Sequence, residues 1–377
     1  MEFGLFIQGY VPNFRREVDP EAEHHALMDD LAVVQAADKA GFKYVWVTEH
    51  HFLDEYSHLS ANDVVLGYLA HATERIHLGS GIFNPLPQVN HPAKVAERVA
   101  MLDHLSNGRF EFGTGRGAGS LEILGFLPGM KDLSGTREIW EDVIEEFPKM
   151  WLQDTYEGYD GKFWSLPPRK ILPKPYGKLH PAMWYAAGNT SSYEMAARRG
   201  LGVLGFSIGS IDALAPVLAA YKKEIPNAEP IGAFVNDNLM VTTGAYVAEE
   251  ADTARAWATA PHSSYLGSNV YRYHDTFPHP PEVPVWPELI PDATPEMVDA
   301  SIAGGAIIGS PDDALAQCRR WEAAGADQLV FGVGTATTEQ MLETIRLLGE
   351  HVIPKVDTDP VHRTTRLREA AAERLPN

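Results

Sequence analysis

Lys43-Tyr44-Val45-Trp46-Val47-Thr48-Glu49-His50-His51-Phe52 is the stretch whose reading decides the fold. Its first half is β-branched and aromatic, follows Gly41, and reads as a strand buried on both faces, the signature of a parallel sheet. Its second half crowds a carboxylate and two imidazoles onto the strand's carboxyl end, the edge where α/β sheets and barrels carry their chemistry. If the strand continues, alternation puts Glu49 and His51 on one face and His50 on the other. A solvated turn and a metal site compete for the same residues. The metal reading lacks a His-x-His pair or a His-Glu-x-x-His helix, so no metal ligand is assigned.

Outward from this stretch, strand-like and helix-like segments alternate. Strands are expected at Phe3–Gln8, Arg75–Ile82, Arg109–Gly115, Met183–Ala187, Gly202–Phe206, Ile231–Val241 and Asp327–Gly332, with amphipathic or capped helical stretches between them. Eight such units in one chain predict a (β/α)8 TIM barrel over residues 1–356, one α/β domain rather than a doubly wound sheet. One segment breaks the rhythm. Residues 260–311 are rich in proline and carry Tyr265, Tyr271, Tyr273, Phe277 and Trp286. An insertion this long inside a compact domain is functional or disordered, and between strands seven and eight it reads as an active-site lid, with a rigid arm for dimer contacts as the rival. The charged residues 357–377 read as a peripheral tail.

Composition narrows the function. With 31 basic against 51 acidic residues, the net charge of −20 opposes non-specific binding to nucleic acid or to an anionic membrane. The single Cys318 excludes an internal disulfide and, inside an expected helix (Asp312–Ala324), reads as packing. The amino terminus runs straight into a strand without a basic leader, and no apolar run approaches the ~20 residues of a membrane span. A soluble, cytoplasmic protein is expected.

Four motifs in order, Thr48-Glu49-His50-His51-Phe52, Asn90-His91-Pro92, Gly108-Arg109-Phe110-Glu111-Phe112-Gly113-Thr114-Gly115-Arg116-Gly117 and Ala187-Gly188-Asn189-Thr190-Ser191-Ser192, together resemble the bacterial luciferase-like family of flavin-dependent monooxygenases. The likeness runs from Phe3 to about Val356, including Gly309-Ser310-Pro311-Asp312. It implies a barrel with an insertion after the seventh strand, and an enzyme that uses reduced FMN and dioxygen to oxygenate a small apolar organic substrate. It also implies a separate flavin reductase as source of the reduced cofactor and a homodimer. The chain carries no Gly-x-Gly-x-x-Gly after a strand, which agrees with electrons arriving from elsewhere. An F420-dependent hydride-transfer oxidoreductase and a non-catalytic flavin-binding barrel are the alternatives.

Residue by residue, the resemblance places His50 as the catalytic imidazole with His51 beside it, and Glu49 nearer the flavin ring. Imidazoles titrate near neutrality and so can hold or deliver a proton there. Arg116 is a strand-end guanidinium in a glycine-rich setting, suited to a phosphate. Gly188, Asn189 and Ser192 open a helix whose free N–H groups favour the same anion, although ordinary helix capping uses the same residue types. Gly81–Ile82 stands where the family often has a non-proline cis peptide beneath the flavin. Two departures bear on chemistry: this chain has Gly115 where the luciferases have a cysteine, and Gly188 where they have an acidic residue. An oxygenase without light emission is therefore expected. Two extra residues within Asn84–Asn90 imply a reshaped substrate pocket.

Overall fold

The computed structural model describes residues 1–117, 119–205, 209–259, 269–274, 279, 281, 283–285, 293–333 and 336–375. Eight parallel strands close into a barrel: β1 (Glu2–Ile7), β2 (Tyr44–Val47), β3 (His77–Ser80), β4 (Phe110–Thr114), β5 (Ala182–Ala187), β6 (Gly202–Gly205), β7 (Leu239–Thr243) and β8 (Gln328–Gly332). Neighbours in the ring are neighbours in the chain, and β1 pairs with β8 to close it. Most of the outward strand side chains join the main apolar core beneath the surrounding helices.

The barrel's interior is filled by Phe6, Tyr44, Trp46, Trp184, Leu204, Met240 and Val330. Two indoles occupy most of it, with ring centroids 5.0 Å apart and edge to face. They fit because each faces a glycine on the next strand: Trp46 pairs in register with Gly79 and Trp184 with Gly202. A Cβ on Gly79 would lie 2.2 Å from the Trp46 ring, and one on Gly202 2.6 Å from the Trp184 ring.

The charged carboxyl-terminal segment is not peripheral. Its helix Arg363–Ala372 lies across the barrel's amino end, where Thr364 is buried and His362 stacks on His77 at 3.8 Å. Arg368 forks onto both oxygens of the buried Asp103, at 2.9 and 2.7 Å. Lys43 reaches Glu2 and Asp357, each at 3.0 Å. The charge that looked like a solvated tail answers buried polar groups on the barrel floor, which would otherwise be left unpaired.

The seventh strand is shorter and later than expected, Leu239–Thr243 instead of Ile231–Val241. Side chains compete for the backbone upstream of it. His180 Nε2 accepts from the Ala233 N–H at 2.8 Å, and Asn236 donates to the Met183 carbonyl while accepting from the Asn238 N–H. Between β7 and β8 lies an insertion that adds a small parallel pair, Ala245–Val247 with Ile307–Gly309, and helices Ala251–Thr259 and Pro295–Gly304. Part of the lid expected there, including Tyr265, Phe277 and Trp286, falls outside the described residues. Among those that are described, Tyr273 packs with Leu53 and Tyr56. Cys318 is a buried free thiol. Among the described residues no helix is long and apolar enough to cross a membrane, and no His, Cys, Asp and Glu cluster could hold a metal.

Candidate active site

β2 ends at Val47, so the alternation rule lapses before it reaches the acidic and imidazole residues. The chain turns instead, and Phe52 takes a left-handed conformation (φ 65°), uncommon for a bulky residue. Its ring leans on Phe126 at 5.1 Å and against Gly125. The turn lets Glu49 and His50 line one cavity at the carboxyl end of the barrel, where strict alternation would have separated them. His51 points away, its ring edge to face with Phe126 at 4.9 Å and its Nε2 3.2 Å from Glu49 Oε1.

The cavity brings together Glu49, His50, Gly81, Ile82, Arg116, Gly188, Asn189 and Ser192, all picked out in the sequence. Gly81–Ile82 is a cis peptide. Two of the picked residues stand outside it: His51, and Gly115, which is buried behind Ile82 and would bring a Cβ within 3.0 Å of that side chain. The apolar wall comes from Phe6, Trp46, Ile82, Leu204 and Met240.

Glu122, Tyr185, Thr242 and His274 also line the cavity, and the sequence reading picked none of them for the site. Glu122 matters most. It sits in a seven-residue helix, Ser120–Phe126, hidden behind a glycine-rich run that reads as loop. The available signal was an acidic residue in a first turn soon after Arg116-Gly117. Its Oε1 accepts the His51 backbone N–H at 2.9 Å, and its Oε2 lies 3.3 Å from His50 Nδ1. Glu122 is only 6% exposed. The pair engages Nδ1 of His50 and leaves Nε2 without a partner among the described residues. Burial pulls the His50 pKa down, but the charge and hydrogen bond of Glu122, with the charge of Glu49, outweigh it and hold the imidazole above its ordinary value.

Across the cavity, Arg116 donates to Thr136 Oγ1 at 2.9 Å and to the Leu133 carbonyl at 3.4 Å. No carboxylate neutralises it among the described residues. The helix Thr190–Arg198 starts at the same cavity, capped by Asn189, whose Oδ1 accepts the Ser192 N–H at 3.0 Å. An unneutralised guanidinium and a helix N-terminus that share one cavity both favour an anion.

A family model described as luciferase-like monooxygenase matches residues 1–328. Over 374 residues the chain is 25% identical to the oxygenase component of the flavin-dependent trigonelline monooxygenase of Acinetobacter baylyi, covering 96% of this chain and 98% of that one. Its fold matches the oxygenating constituent of 3,6-diketocamphane monooxygenase of Pseudomonas putida, a type II Baeyer-Villiger enzyme solved with FMN. That match has a TM-score of 0.75 at 18% identity, over 94% of this chain and 99% of the other. An F420-dependent secondary alcohol dehydrogenase shares the fold too, with a TM-score of 0.69 at 15% identity over 94% and 98%.

The Glu122–His50 pair has a pH signature. Because the His50 pKa is raised in the folded protein, its contribution to stability is complete below the unfolded value of about 6.5 and is lost as pH rises through the folded value. Glu122→Gln removes the opposing charge. The His50 titration, followed by NMR, is expected to move to lower pH. The stability gap between parent and variant should be widest on the acid side of that window and narrow above it. A midpoint that stays in place or rises would take Glu122 out of this role.

Proposed function

The chain belongs to the luciferase-like monooxygenase family, and from that premise we propose that it is the oxygenase of a two-component flavin-dependent monooxygenase. Reduced FMN arrives from a separate reductase, and one atom of dioxygen enters a small, largely apolar organic substrate. The observation that carries this reading is His50, paired through Nδ1 to Glu122 with Nε2 left for the cavity it shares with Arg116.

The residues present fit the cofactor. Arg116 and the first turn of the Thr190–Arg198 helix would hold a phosphate, and Ile82, Leu204 and Met240 offer an apolar wall to a flat ring system. When bound, the reduced flavin supplies the electrons that activate dioxygen. The protein's part is to position, dry and move protons. Glu122 keeps His50 in the tautomer with hydrogen on Nδ1, so that Nε2 can accept a proton from the cavity and, as imidazolium, return it. Glu49 presents a carboxylate to the same space. F420 in place of FMN is the competing reading, supported by the shared barrel of the alcohol dehydrogenase; the absorbance of the protein as purified or reconstituted separates the two.

A second copy of the chain is the partner this surface supports. Val64 and Tyr68 on the helix Asn62–Ala72 and Met101 and Leu105 on the adjacent Pro92–Leu105 helix are all exposed, between 49% and 70%. Neighbouring exposed apolar side chains of this size mark an association surface. Tyr68→Glu is expected to convert a sedimenting dimer to monomer; a parent that sediments as monomer removes the assignment.

Arg116→Ala is expected to weaken FMN binding by about 1.5–3 kcal/mol, the scale of a charge-assisted hydrogen bond. Riboflavin, which lacks the phosphate, should bind parent and variant alike. Equal loss of both ligands would place the phosphate elsewhere.

His50→Ala is expected to fold, bind FMN within a few-fold of the parent and lose roughly 10²–10⁴ in turnover, as for a positioned acid–base group. His51→Ala should cost the rate less and flavin affinity or stability more. Single-turnover oxygenation with pre-reduced FMN isolates the step from reductase supply. Parent-like rates in the His50 variant would refute the assignment.

A further inference from the structure

Glu49 lines the cavity, and the two side chains that hold it, His51 and Asn90, stand outside the cavity. Asn90 Nδ2 donates to Glu49 Oε1 at 3.1 Å and to the backbone carbonyl of Asn84 at 3.1 Å. Glu49 stands just past β2 and Asn84 just past β3, and both line the cavity, so one amide group ties two adjacent walls together. The amide's orientation is itself determined. Arg98, from the helix Pro92–Leu105, donates its NH2 to Asn90 Oδ1 at 2.7 Å. An arginine can only donate, so the Asn90 oxygen must face it and the NH2 group must face the two acceptors. Arg98 is fixed in turn by Asp63 Oδ2 at 3.2 Å and by the face of the buried Phe83, 5.4 Å from the guanidinium carbon to the ring centroid.

We propose that Asn90, with its amide oriented by Arg98, is a positioning residue that sets Glu49 and the Asn84 carbonyl at the edge of the bound cofactor. The inference rests on the reading of the cavity as a flavin site. Its physical basis is that a carboxylate held only by His51, Nε2 3.2 Å away, could swing about that one contact. The hydrogen bond from the Asn90 amide, itself anchored on the Asn84 carbonyl, adds a second fixed contact and sets its direction. Displacing a binding group by ~1 Å can cost on the order of 10²-fold in function. The outer Asp63–Arg98 contact matters less, because both side chains are 28% exposed and surface pairs are worth little.

Four variants separate positioning from mere structure. Asn90→Asp keeps the shape and the contact with Arg98 but replaces both N–H donors with a carboxylate facing Glu49 and a carbonyl. Arg98→Met frees the amide to turn, Arg98→Lys restores a single donor, and Asp63→Asn touches only the outer end. With oxidised FMN as probe, Kd is expected to rise about tenfold in Asn90→Asp, with a shifted flavin absorption band and a melting temperature within a few degrees of the parent. Arg98→Met should lie in between, with Arg98→Lys and Asp63→Asn close to the parent. Hydrogen exchange in the cofactor-free protein supplies a readout independent of any ligand. It should accelerate at Thr48–His51 and Asn84–Val89 in Asn90→Asp while the body of the Pro92–Leu105 helix stays protected. A parent that binds no FMN, together with faster exchange at those two walls, would sink the flavin reading and leave the positioning role standing. Unchanged exchange at both walls, or an Asn90→Asp protein that binds FMN as the parent does with an unshifted band, would overturn the proposal.

Discussion

The structure above the barrel floor depends on one buried carboxylate. Glu111 of β4 accepts from Trp184 Nε1 at 2.7 Å, lies 2.7 Å from His77 Nδ1, and receives the hydroxyl of Thr364 from the carboxyl-terminal helix. A barrel filled with indoles must find acceptors for their N–H groups, and Glu111 answers Trp184 as Gln328 answers Trp46 at 2.7 Å. Burial pushes the Glu111 carboxyl up to about 8, and burial with nearby Arg109 pushes His77 down to about 3. The cluster therefore carries little net charge into the interior, which is what makes it tolerable there. Three strands and the carboxyl-terminal helix converge on it, so that helix is pinned across the barrel floor.

The two ends of the barrel treat polar groups in opposite ways. On the floor nearly every charge has an answering partner: Lys43 with Glu2 and Asp357, Arg368 with Asp103, Arg363 with Asp237. At the mouth the groups are answered on one side only. His50 has a partner for Nδ1, Arg116 has neutral acceptors and no carboxylate among the described residues, and Glu49 is held through a single oxygen. Satisfied polar groups stabilise a fold, while half-satisfied ones held rigidly in place are what a ligand or a reaction can use.

Much of this was legible in the chain itself. The β-branched and aromatic run of Tyr44–Val47 and the recurrence of such runs eight times are properties of local composition, and local composition decides strand, helix and barrel. His50, Arg116 and the Asn189 cap were legible because each follows a strand end, the position where a parallel barrel exposes side chains. Glu122 was not, since a seven-residue helix after a glycine run has no periodicity to show. The span Ile231–Asn238 misled for a related reason: its β-like composition was overruled by His180, a side chain distant in sequence that claims the Ala233 N–H, and by Asn236, whose own side chain takes the Asn238 N–H.

What the sequence by itself determined is therefore the alternation of strands and helices, the barrel they close into, and most of the residues that stand at its carboxyl end. Pairing was left to the tertiary structure: that His50 meets Glu122 across 72 residues, that Asn90 holds Glu49 across 41, and that a charged tail reaches back 253 residues to Glu111. Secondary structure follows from interactions a few residues apart, which a linear pattern records. Hydrogen bonds between distant residues depend on turns such as the left-handed step at Phe52, whose geometry is set by the packing around it.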